Sequence, residues 1–348
     1  MRPFDYNKSL EKWFTPQIAK LTGALRECKG KQALFLRATP DVLDTLVAVA
    51  KVQSMASSNR IEGISTTDSR IRALAKESVA PKNRAEEEIA GYRDVLGMIH
   101  ESHEAIPLNP NVILQLHRDL CSHLGPGAGG HWKTSDNVIS ETDAAGNRFV
   151  RFRPLPAFAT PGAVESLCAA ANGALSEGTF DPLFILCLFV LDFVSIHPFD
   201  DGNGRMSRLL TLLLLYRAGY LVGRYISLEK LVEDSKESYY ETLRASSEGW
   251  LQGKNNPTPF VRYLLGIFLK AYSLFEVRVS DVLRGKATKE ERIRLLFERT
   301  PVPLSKRQIL EACPDVSAIT VARALNSLLT SGYIRKLGAG PATAYAKN

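Results

Sequence analysis

The sequence predicts a mainly α-helical protein with one β-hairpin in its body and a small domain of helices and strands at its C-terminal end. Three observations support this fold class. Apolar residues recur at helical spacing through most of residues 1–272. Within 131–153, "NVIS" and "RFVRF" resemble two strands separated by the turn-forming segment "ETDAAGN". Residues 286–348 change in pattern and charge, so we expect three blocks: a helical region 1–85, a helical core 86–272 and this small domain.

The composition is that of an ordinary soluble globular protein. The 348 residues leave room for two or three domains, and 45% of them are hydrophobic and 23% charged. The N-terminus has no apolar signal core, and the longest apolar run, 183–196, is too short to span a membrane and contains Asp192. The five cysteines form no CxxC pair, which favours reduced thiols. We therefore expect a cytoplasmic protein with no membrane partner.

The first block is predicted to contain a helix that ends at Gly63. In "TPDVLDTLVAVAKVQSMASSNRIEG" (39–63), Thr39 is a candidate N-cap and Pro40 suits the first helical position. Apolar residues then follow at helical spacing: Val42, Leu43, Leu46, Val47 and Ala50. Glycine is the usual residue just beyond a helix, so Gly63 is the expected stop.

The C-terminal block has the element order of a winged helix. Three short helices are predicted by "TKEERIRLLFERT", "LSKRQILEAC" and "SAITVARALNSLLTSGYI", and two strands around a glycine-rich turn by "YIRKLGAGPATAYAK". Residues 286–348 hold eleven lysines and arginines and five acidic residues, so they carry +6 of the net charge of +7. This charge indicates a nucleic-acid or acidic partner, with a solvated basic surface as the alternative.

The predicted recognition helix of this block is residues 318–331. Its candidate groove-facing residues are Thr320, Arg323, Asn326 and Ser327. One arginine is few for DNA binding, so a winged helix used for packing or for contacts within a homodimer is an equal alternative.

The most informative stretch is "HPFDDGNGR" (197–205), which separates two strongly apolar, helix-like runs. Because the residue before a proline is disfavoured in the α region, the first helix should end at about His197. The second helix should start near Gly204. The Gly-Asn-Gly run could then turn its backbone N–H groups toward an anion at the positive end of the second helix.

The other side chains of this stretch suit a nucleotide phosphate. Arg205 and Arg208 are three residues apart, so they share a helix face and could clamp phosphates together. Asp201 is a hard oxygen ligand suited to Mg²⁺ shared with a polyphosphate, and His197 is suited to act as a general base. Phe199 is expected to anchor the loop in apolar surroundings. A glycine-rich turn with solvated charges would explain Gly-Asn-Gly alone, but not the whole set of residue types at this spacing.

The stretch "HPFDDGNGRMSR" matches, at every fixed position, the signature HxFx[DE]GNGRxxR of the Fic family of AMP-transferases, and the chain therefore resembles that family. The resemblance extends over residues 50–272. Residues 87–99 are similar to an early helix of the family, 138–152 to its flap, and 237–243 to the helix behind its adenine pocket. It implies a Fic-type helical core with a β-hairpin flap, to which bacterial members commonly add a winged helix.

The resemblance implies transfer of AMP from ATP to a serine, threonine or tyrosine hydroxyl of a target protein. His197 would deprotonate the hydroxyl, and Asp201 would hold Mg²⁺ between the α- and β-phosphates. The implied phosphate ligands are Gly202, Asn203 and Gly204 in an anion hole, and Arg205 and Arg208 at the outer phosphates. The implied neighbours of adenine are Tyr239, Tyr240, Leu243 and, from the flap, Ile139. The free edge of the flap would align the target as an added strand.

The sequence departs from the family pattern at two places. Lys133 stands where many members have an arginine before the flap, and Ser247 lies near a frequent asparagine, which puts details of nucleotide contact in doubt. Gly204, by contrast, favours AMP transfer, because the kinase relatives named death-on-curing toxins have a lysine at this position.

A second short stretch, "SSNRIEG" (57–63), resembles the family's inhibitory motif [ST]xxxE[GN], with Ser58, Glu62 and Gly63 at its fixed positions. Serine and glutamate four residues apart are common on solvated helix faces. Upstream of a complete signature and at a predicted helix end, the pattern predicts self-inhibition by Glu62.

Two other functions fit the same residues. A DNA-binding regulator could sense nucleotide through its helical body without chemistry, although such a sensor needs no base at His197. Alternatively, Glu62 could orient a water molecule, so that the enzyme mainly removes AMP from modified protein.

Overall fold

The structure is a computed structural model that describes residues 4, 6, 10–38, 40–142, 148–283, 288–300, 302–314, 316–338, 340 and 343–348. In these ranges the α-helices are α1 (Pro16–Ala38), α2 (Pro40–Ile61), α3 (Asp68–Ala75), α4 (Arg84–Ser102), α5 (Pro110–Leu120), α6 (Thr160–Glu177), α7 (Pro182–Ile196), α8 (Asn203–Arg217), α9 (Leu228–Asp234), α10 (Lys236–Ser247), α11 (Thr258–Leu283), α12 (Lys289–Arg299), α13 (Lys306–Ala312) and α14 (Ala318–Thr330). The strands are β1 (Ile139–Thr142), β2 (Arg148–Phe152), β3 (Leu304–Ser305), β4 (Ile334–Leu337) and β5 (Ala344–Lys347). The prediction of a mainly helical protein with few, small strands is confirmed.

The chain divides into two compact units. Residues 1–31 and 50–271 form the first unit, and residues 32–49 and 272–348 form the second. The helices α1, α2 and α11 contribute residues to both. The three blocks expected from sequence remain a prediction.

The first unit is built around α7, on which α6 and α8 pack. The apolar run 183–196 forms this helix, and nearly all of its side chains are buried. Its single carboxylate, Asp192, is fully buried and accepts hydrogen bonds from the Tyr6 hydroxyl at 2.6 Å and from Nε1 of Trp250 at 2.7 Å. A buried carboxylate is tolerated in an apolar helix when it is hydrogen-bonded in this way.

The stretch "SSNRIEG" (57–63) lies in the first unit and includes the C-terminal end of α2. The helix begins at Pro40 and ends at Ile61, and Gly63 follows with φ of 82°, the left-handed conformation that a glycine stop uses. The predicted N-cap Thr39 lies outside the described residues. Ser58 and Asn59 are fully buried, so this end of α2 is not a solvated helix face.

The predicted β-hairpin is present as β1 and β2, which pair antiparallel. The turn residues 143–147 lie outside the described residues. The register is irregular between Ile139, opposite Phe152, and Ser140, opposite Val150. Arg151 is therefore the extra residue of a β-bulge, a feature that re-aims a side chain.

The second unit includes the predicted helices and strands of the C-terminal block. Strand β5 lies between β3 and β4, with α12, α13 and α14 packed beside this three-stranded sheet. This order of elements is the one expected of a winged helix, and the assignment to that class remains a prediction. Both α12 and α13 begin with a capping box, from Thr288 and Ser305 respectively. The additional strand β3 was not predicted, because two residues give no periodic signal.

Among the residues described above, no helix is long and apolar enough to cross a membrane.

Candidate active site

The signature loop begins where α7 stops. Helix α7 ends at Ile196, as predicted, and His197 has φ of 54° and ψ of 62°, the left-handed conformation. Its backbone N–H still donates to the carbonyl of Phe193 at 3.0 Å. A residue with a side chain costs about 1–2 kcal/mol in this conformation, so the surrounding contacts must hold His197 in place.

Asn203 closes the signature loop from inside. Its Oδ1 accepts the backbone N–H of Phe199 at 2.9 Å, and its Nδ2 donates to the carbonyl of Phe199 at 2.7 Å. Phe199 is fully buried, as expected of the apolar anchor. Helix α8 begins at Asn203, one residue before the expected start, directly after Gly202 with φ of 80°. The side chain of Asn203 therefore shapes the loop, which leaves its backbone N–H, at the start of the helix, as the group that could bind an anion.

His117, on α5, packs against the signature loop, a role that was not predicted from the sequence. Its ring stacks on Phe199, with centroids 3.6 Å apart and planes 9° apart. Nδ1 accepts the N–H of Gly130 at 3.1 Å, so the proton lies on Nε2, which donates to the carbonyl of Asp201 at 3.1 Å. Burial lowers the pKa of His117 to about 4, which keeps the ring neutral. A lone histidine on the apolar face of α5 gives no sequence signal for this role.

The imidazole of His197 has the protonation that a general base requires. Burial lowers the pKa of His197 to about 4, so the ring is neutral at pH 7. Nδ1 lies 3.3 Å from the carbonyl of Val194, which can only accept, so Nδ1 carries the proton. The lone pair is then on Nε2, which can accept a proton from a hydroxyl.

Asp201 is, with Asp200, one of two exposed carboxylates of the loop. Oδ1 accepts the N–H of Gly202 at 2.6 Å and lies 3.6 Å from Nη2 of Arg205, while the side chain remains 66% exposed. In the part of the chain that the structure describes, no three histidine, cysteine or acidic side chains are grouped to hold a metal. One carboxylate does fit a magnesium ion that arrives with a polyphosphate, because such ions are commonly held by one or two carboxylates together with phosphates and water.

The two arginines of the signature bind different partners. Arg205 is buried, and its Nη1 lies 2.6 Å from Oε2 of Glu88 on α4. Arg208 faces α2: its Nε donates to Oγ of Ser58 at 2.8 Å and its Nη2 donates to Oε1 of Glu62 at 2.8 Å. The two guanidinium groups therefore do not share a partner in the structure: Arg205 pairs with Glu88 of α4, and Arg208 pairs with residues at the end of α2.

The carboxylate of Glu62 lies directly against Gly204. A Cβ atom on Gly204 would be 2.1 Å from Oε1 of Glu62 and 3.3 Å from Nη1 of Arg208. A side chain at position 204 would therefore have to displace the carboxylate of Glu62. Burial alone would lower the pKa of Arg208, but the charge of Glu62 raises it above its ordinary value. The acidic side chain therefore sits at the positive end of α8, the position that attracts anions.

The end of α2 that carries Glu62 is fixed by contacts that the sequence did not reveal. Arg60 pairs with Glu233 on α9, with Nε and Oε1 2.6 Å apart. Nζ of Lys236 donates to the carbonyl of Ile61 at 2.8 Å. Two elements distant in sequence thus hold the helix end, and no local pattern identifies such pairs.

The implied neighbours of adenine lie on α10 and the flap. Tyr239 and Leu243 are buried and Tyr240 is half-buried, with the tyrosine rings edge to face at 5.3 Å. Burial raises the pKa of Tyr240 to about 12, so its hydroxyl is protonated. Ile139 is half-buried at the start of β1. Their contact with adenine remains a prediction, as does any consequence of Ser247, whose Oγ donates to the carbonyl of Arg244 at 3.3 Å.

Comparison with known proteins agrees with this site. The model of the Fic/DOC family matches residues 107–215. The protein adenylyltransferase Fic of Drosophila melanogaster is 27% identical over 275 residues, covering 76% of this chain and 46% of that protein. The protein of the same name from Drosophila willistoni is 26% identical over 232 residues, covering 64% and 41%. The chain thus spans less than half the length of these curated relatives.

Solved structures share the fold. A Fic family protein from Desulfovibrio desulfuricans has a TM-score of 0.59 at 22% identity, covering 96% of both chains. A Fic-1 fragment from C. elegans has a TM-score of 0.58 at 20% identity, covering 80% of this chain and 79% of the other. Residues 107–215, which include the signature loop, thus match the Fic/DOC family, and the fold is similar to that of solved Fic proteins.

Proposed function

We propose that the protein transfers AMP from ATP to a hydroxyl side chain of a target protein. The observation that carries the proposal is the position of a neutral histidine, His197, next to the N-terminus of α8, which begins at Asn203 and carries Arg208. A proton acceptor beside an anion site is the arrangement that attack on a phosphate requires. The names of the curated relatives agree with this activity.

In the proposed reaction, Nε2 of His197 takes the proton of the target hydroxyl as its oxygen attacks the α-phosphate. A bond forms between that oxygen and the α-phosphorus, and the bond from this phosphorus to the oxygen shared with the β-phosphate breaks, so pyrophosphate leaves. The backbone N–H groups at the start of α8 stabilise the charge that develops on the phosphate oxygens. Magnesium bound with the nucleotide would neutralise phosphate charge, and Asp201 is the residue that would hold it.

Glu62 is proposed to inhibit this reaction. Its carboxylate occupies Arg208 and lies against Gly204, so it places a negative charge where the outer phosphates must bind. A nucleotide could then bind only with its phosphates displaced from the line of attack. Because a misplacement of about 1 Å costs on the order of 10² in rate, inhibition does not require that ATP binding be abolished.

Removal of AMP is a second candidate reaction at the same site. The side chain of Glu62 is one-third exposed and lies at the start of α8, where a carboxylate could orient water toward an AMP-modified hydroxyl. The two reactions differ in what Glu62 does: it blocks the addition of AMP and is required for its removal.

The winged helix is proposed to bind nucleic acid weakly and mainly through charge. On α14, Arg323 and Asn326 are exposed, whereas Thr320 is half-buried and the hydroxyl of Ser327 donates to Glu290. Fewer base-reading side chains are therefore available than the sequence suggested, which supports phosphate contact over sequence reading.

The experiment that tests AMP transfer compares two labels. The protein is incubated with cell lysate and with ATP labelled at either the α- or the γ-phosphate. We expect protein to acquire label from the α position only. Label from the γ position alone would identify a kinase and refute the proposal.

A further inference from the structure

The root of the flap, residues 133–137, binds the loop that carries His197. Nζ of Lys133 donates to the carbonyl of Ile196 at 3.1 Å. The backbone N–H of Lys133 donates to the carbonyl of Pro198 at 2.9 Å. One residue therefore fixes the carbonyls on both sides of His197.

Asn137 binds the next carbonyl of the signature loop, that of Phe199. Its Nδ2 donates to the carbonyl of Phe199 at 3.2 Å, and its Oδ1 accepts from Nζ of Lys133 at 3.1 Å. Asp136, between them, accepts the backbone N–H of Ala157 beyond the hairpin at 2.7 Å. The same short segment thus joins the two ends of the flap and the signature loop.

The burial of Lys133 indicates a specific role. The residue is 3% exposed, and burial lowers the pKa of Lys133 to about 8. Burying an ammonium group costs free energy unless hydrogen bonds compensate for the lost hydration. Here the acceptors of Nζ are the carbonyl of Ile196 and the side-chain amide of Asn137. These contacts supply the support that the left-handed backbone of His197 requires.

We propose that Lys133 and Asn137 are positioning residues that align His197 with the reacting hydroxyl by fixing its loop to the root of the flap. Neither residue is assigned to the nucleotide, although the arginine common in the family at the position of Lys133 suggested such a contact. The inference rests on the proposed transfer of AMP, in which His197 is the base.

The kinetic test uses Glu62→Gly as the background, so that turnover is measurable. Lys133→Met keeps the stem and removes the donor, Lys133→Arg restores a donor and charge, and Ser135→Ala is the control at an exposed residue of the same segment. We expect Lys133→Met to lower kcat by about 10²-fold while the Kd of ATP stays nearly constant, because the start of α8 is untouched. Lys133→Arg should recover most of the loss. An unchanged kcat in Lys133→Met, or equal losses in kcat and ATP affinity, would overturn the proposal.

Asn137→Asp provides a milder test, should Lys133→Met fail to fold. It keeps the acceptor for Lys133 and removes the donor to Phe199. We expect a smaller fall in kcat, again without loss of ATP affinity. Full activity in this variant would count against the role of Asn137.

A measurement without turnover separates this inference from the proposed function. The charged groups that act on His197 are Lys133, Glu62 and Arg151. NMR titration of the six histidines, with His197→Ala to assign the signal, should show the pKa of His197 rising in Lys133→Met and restored in Lys133→Arg. An unshifted titration would refute the placement of the Lys133 charge beside His197 and, with it, the proposal. Absence of AMP transfer in every variant, with the titration shift present, would refute the proposed function alone.

Discussion

Replacing Glu62 by glycine should release Arg208 and raise the transfer of label from α-labelled ATP. Arg208 would keep its two hydrogen bonds to Ser58, at 2.8 and 2.9 Å, so its guanidinium would stay near the start of α8 and could bind a phosphate. A displacement of about 1 Å at the α-phosphate costs on the order of 10² in rate, so we expect kcat to rise by about 10²-fold. Helix α2 ends at Ile61, so glycine at position 62 does not interrupt it.

The same change should lower stability slightly. The pair between Nη2 of Arg208 and Oε1 of Glu62 is 2.8 Å long, with side chains 7% and 33% exposed. Breaking a fully buried pair costs about 3–5 kcal/mol, and exposure of Glu62 to solvent reduces this to about 1–2 kcal/mol. A fall in Tm of a few degrees should therefore accompany the rise in activity.

Two further variants separate the effect of the Glu62 charge from that of its side-chain volume and from that of the contacts that hold the end of α2. Glu62→Gln removes the charge but keeps a side chain against Gly204, so its activity should lie between those of wild type and Glu62→Gly. Glu233→Gln weakens the pair with Arg60 that holds the end of α2, and should raise activity modestly. Flat or reduced labelling by Glu62→Gly would refute the inhibitory role. A loss confined to AMP removal would favour the hydrolytic role instead.

Four other outcomes are expected. His197→Ala should lower transfer by about 10²–10⁴-fold without loss of ATP binding, measured by single-turnover labelling. Arg208→Ala should not raise labelling, because it removes the proposed inhibitory contact and the proposed phosphate ligand together. Burial lowers the pKa of His100 to about 3 and of His117 and His197 to about 4; since the unfolded chain binds these protons near pH 6.5, chemical denaturation should show the free energy of unfolding falling as pH drops from 6.5 toward 4. Binding of DNA by residues 286–348 should vanish with modest salt, and tight binding to one sequence at high salt would contradict the charge-based view.

The elements nearest the site were predictable because local chemistry determines them. The break after α7 follows from the proline after His197, and the end of α2 follows from Gly63. The three helices and two of the strands of residues 288–348 were predictable from short amphipathic segments and a glycine-rich turn. Each of these features depends on neighbouring residues along the chain, which is the information that periodicity and turn chemistry carry.

The contacts that the sequence did not predict join residues that are far apart in the chain. Nothing local indicates that His117 stacks on Phe199, or that Lys133 binds the carbonyls beside His197. The shared helix face of Arg205 and Arg208 suggested one phosphate clamp, but residues three apart on a helix can still meet different neighbours. Here the flanking helices α4 and α2 engage one arginine each.

The most direct test of the account compares Glu62→Gly with the double variant Glu62→Gly, His197→Ala. Both are incubated with α-labelled ATP, magnesium and lysate, and protein-bound label is measured over time. The account predicts rapid labelling by the single variant and a rate about 10²–10⁴-fold lower in the double variant, with equal ATP binding in both. Equal labelling by the two variants would contradict the assignment of His197 as the base of an AMP transfer that Glu62 restrains.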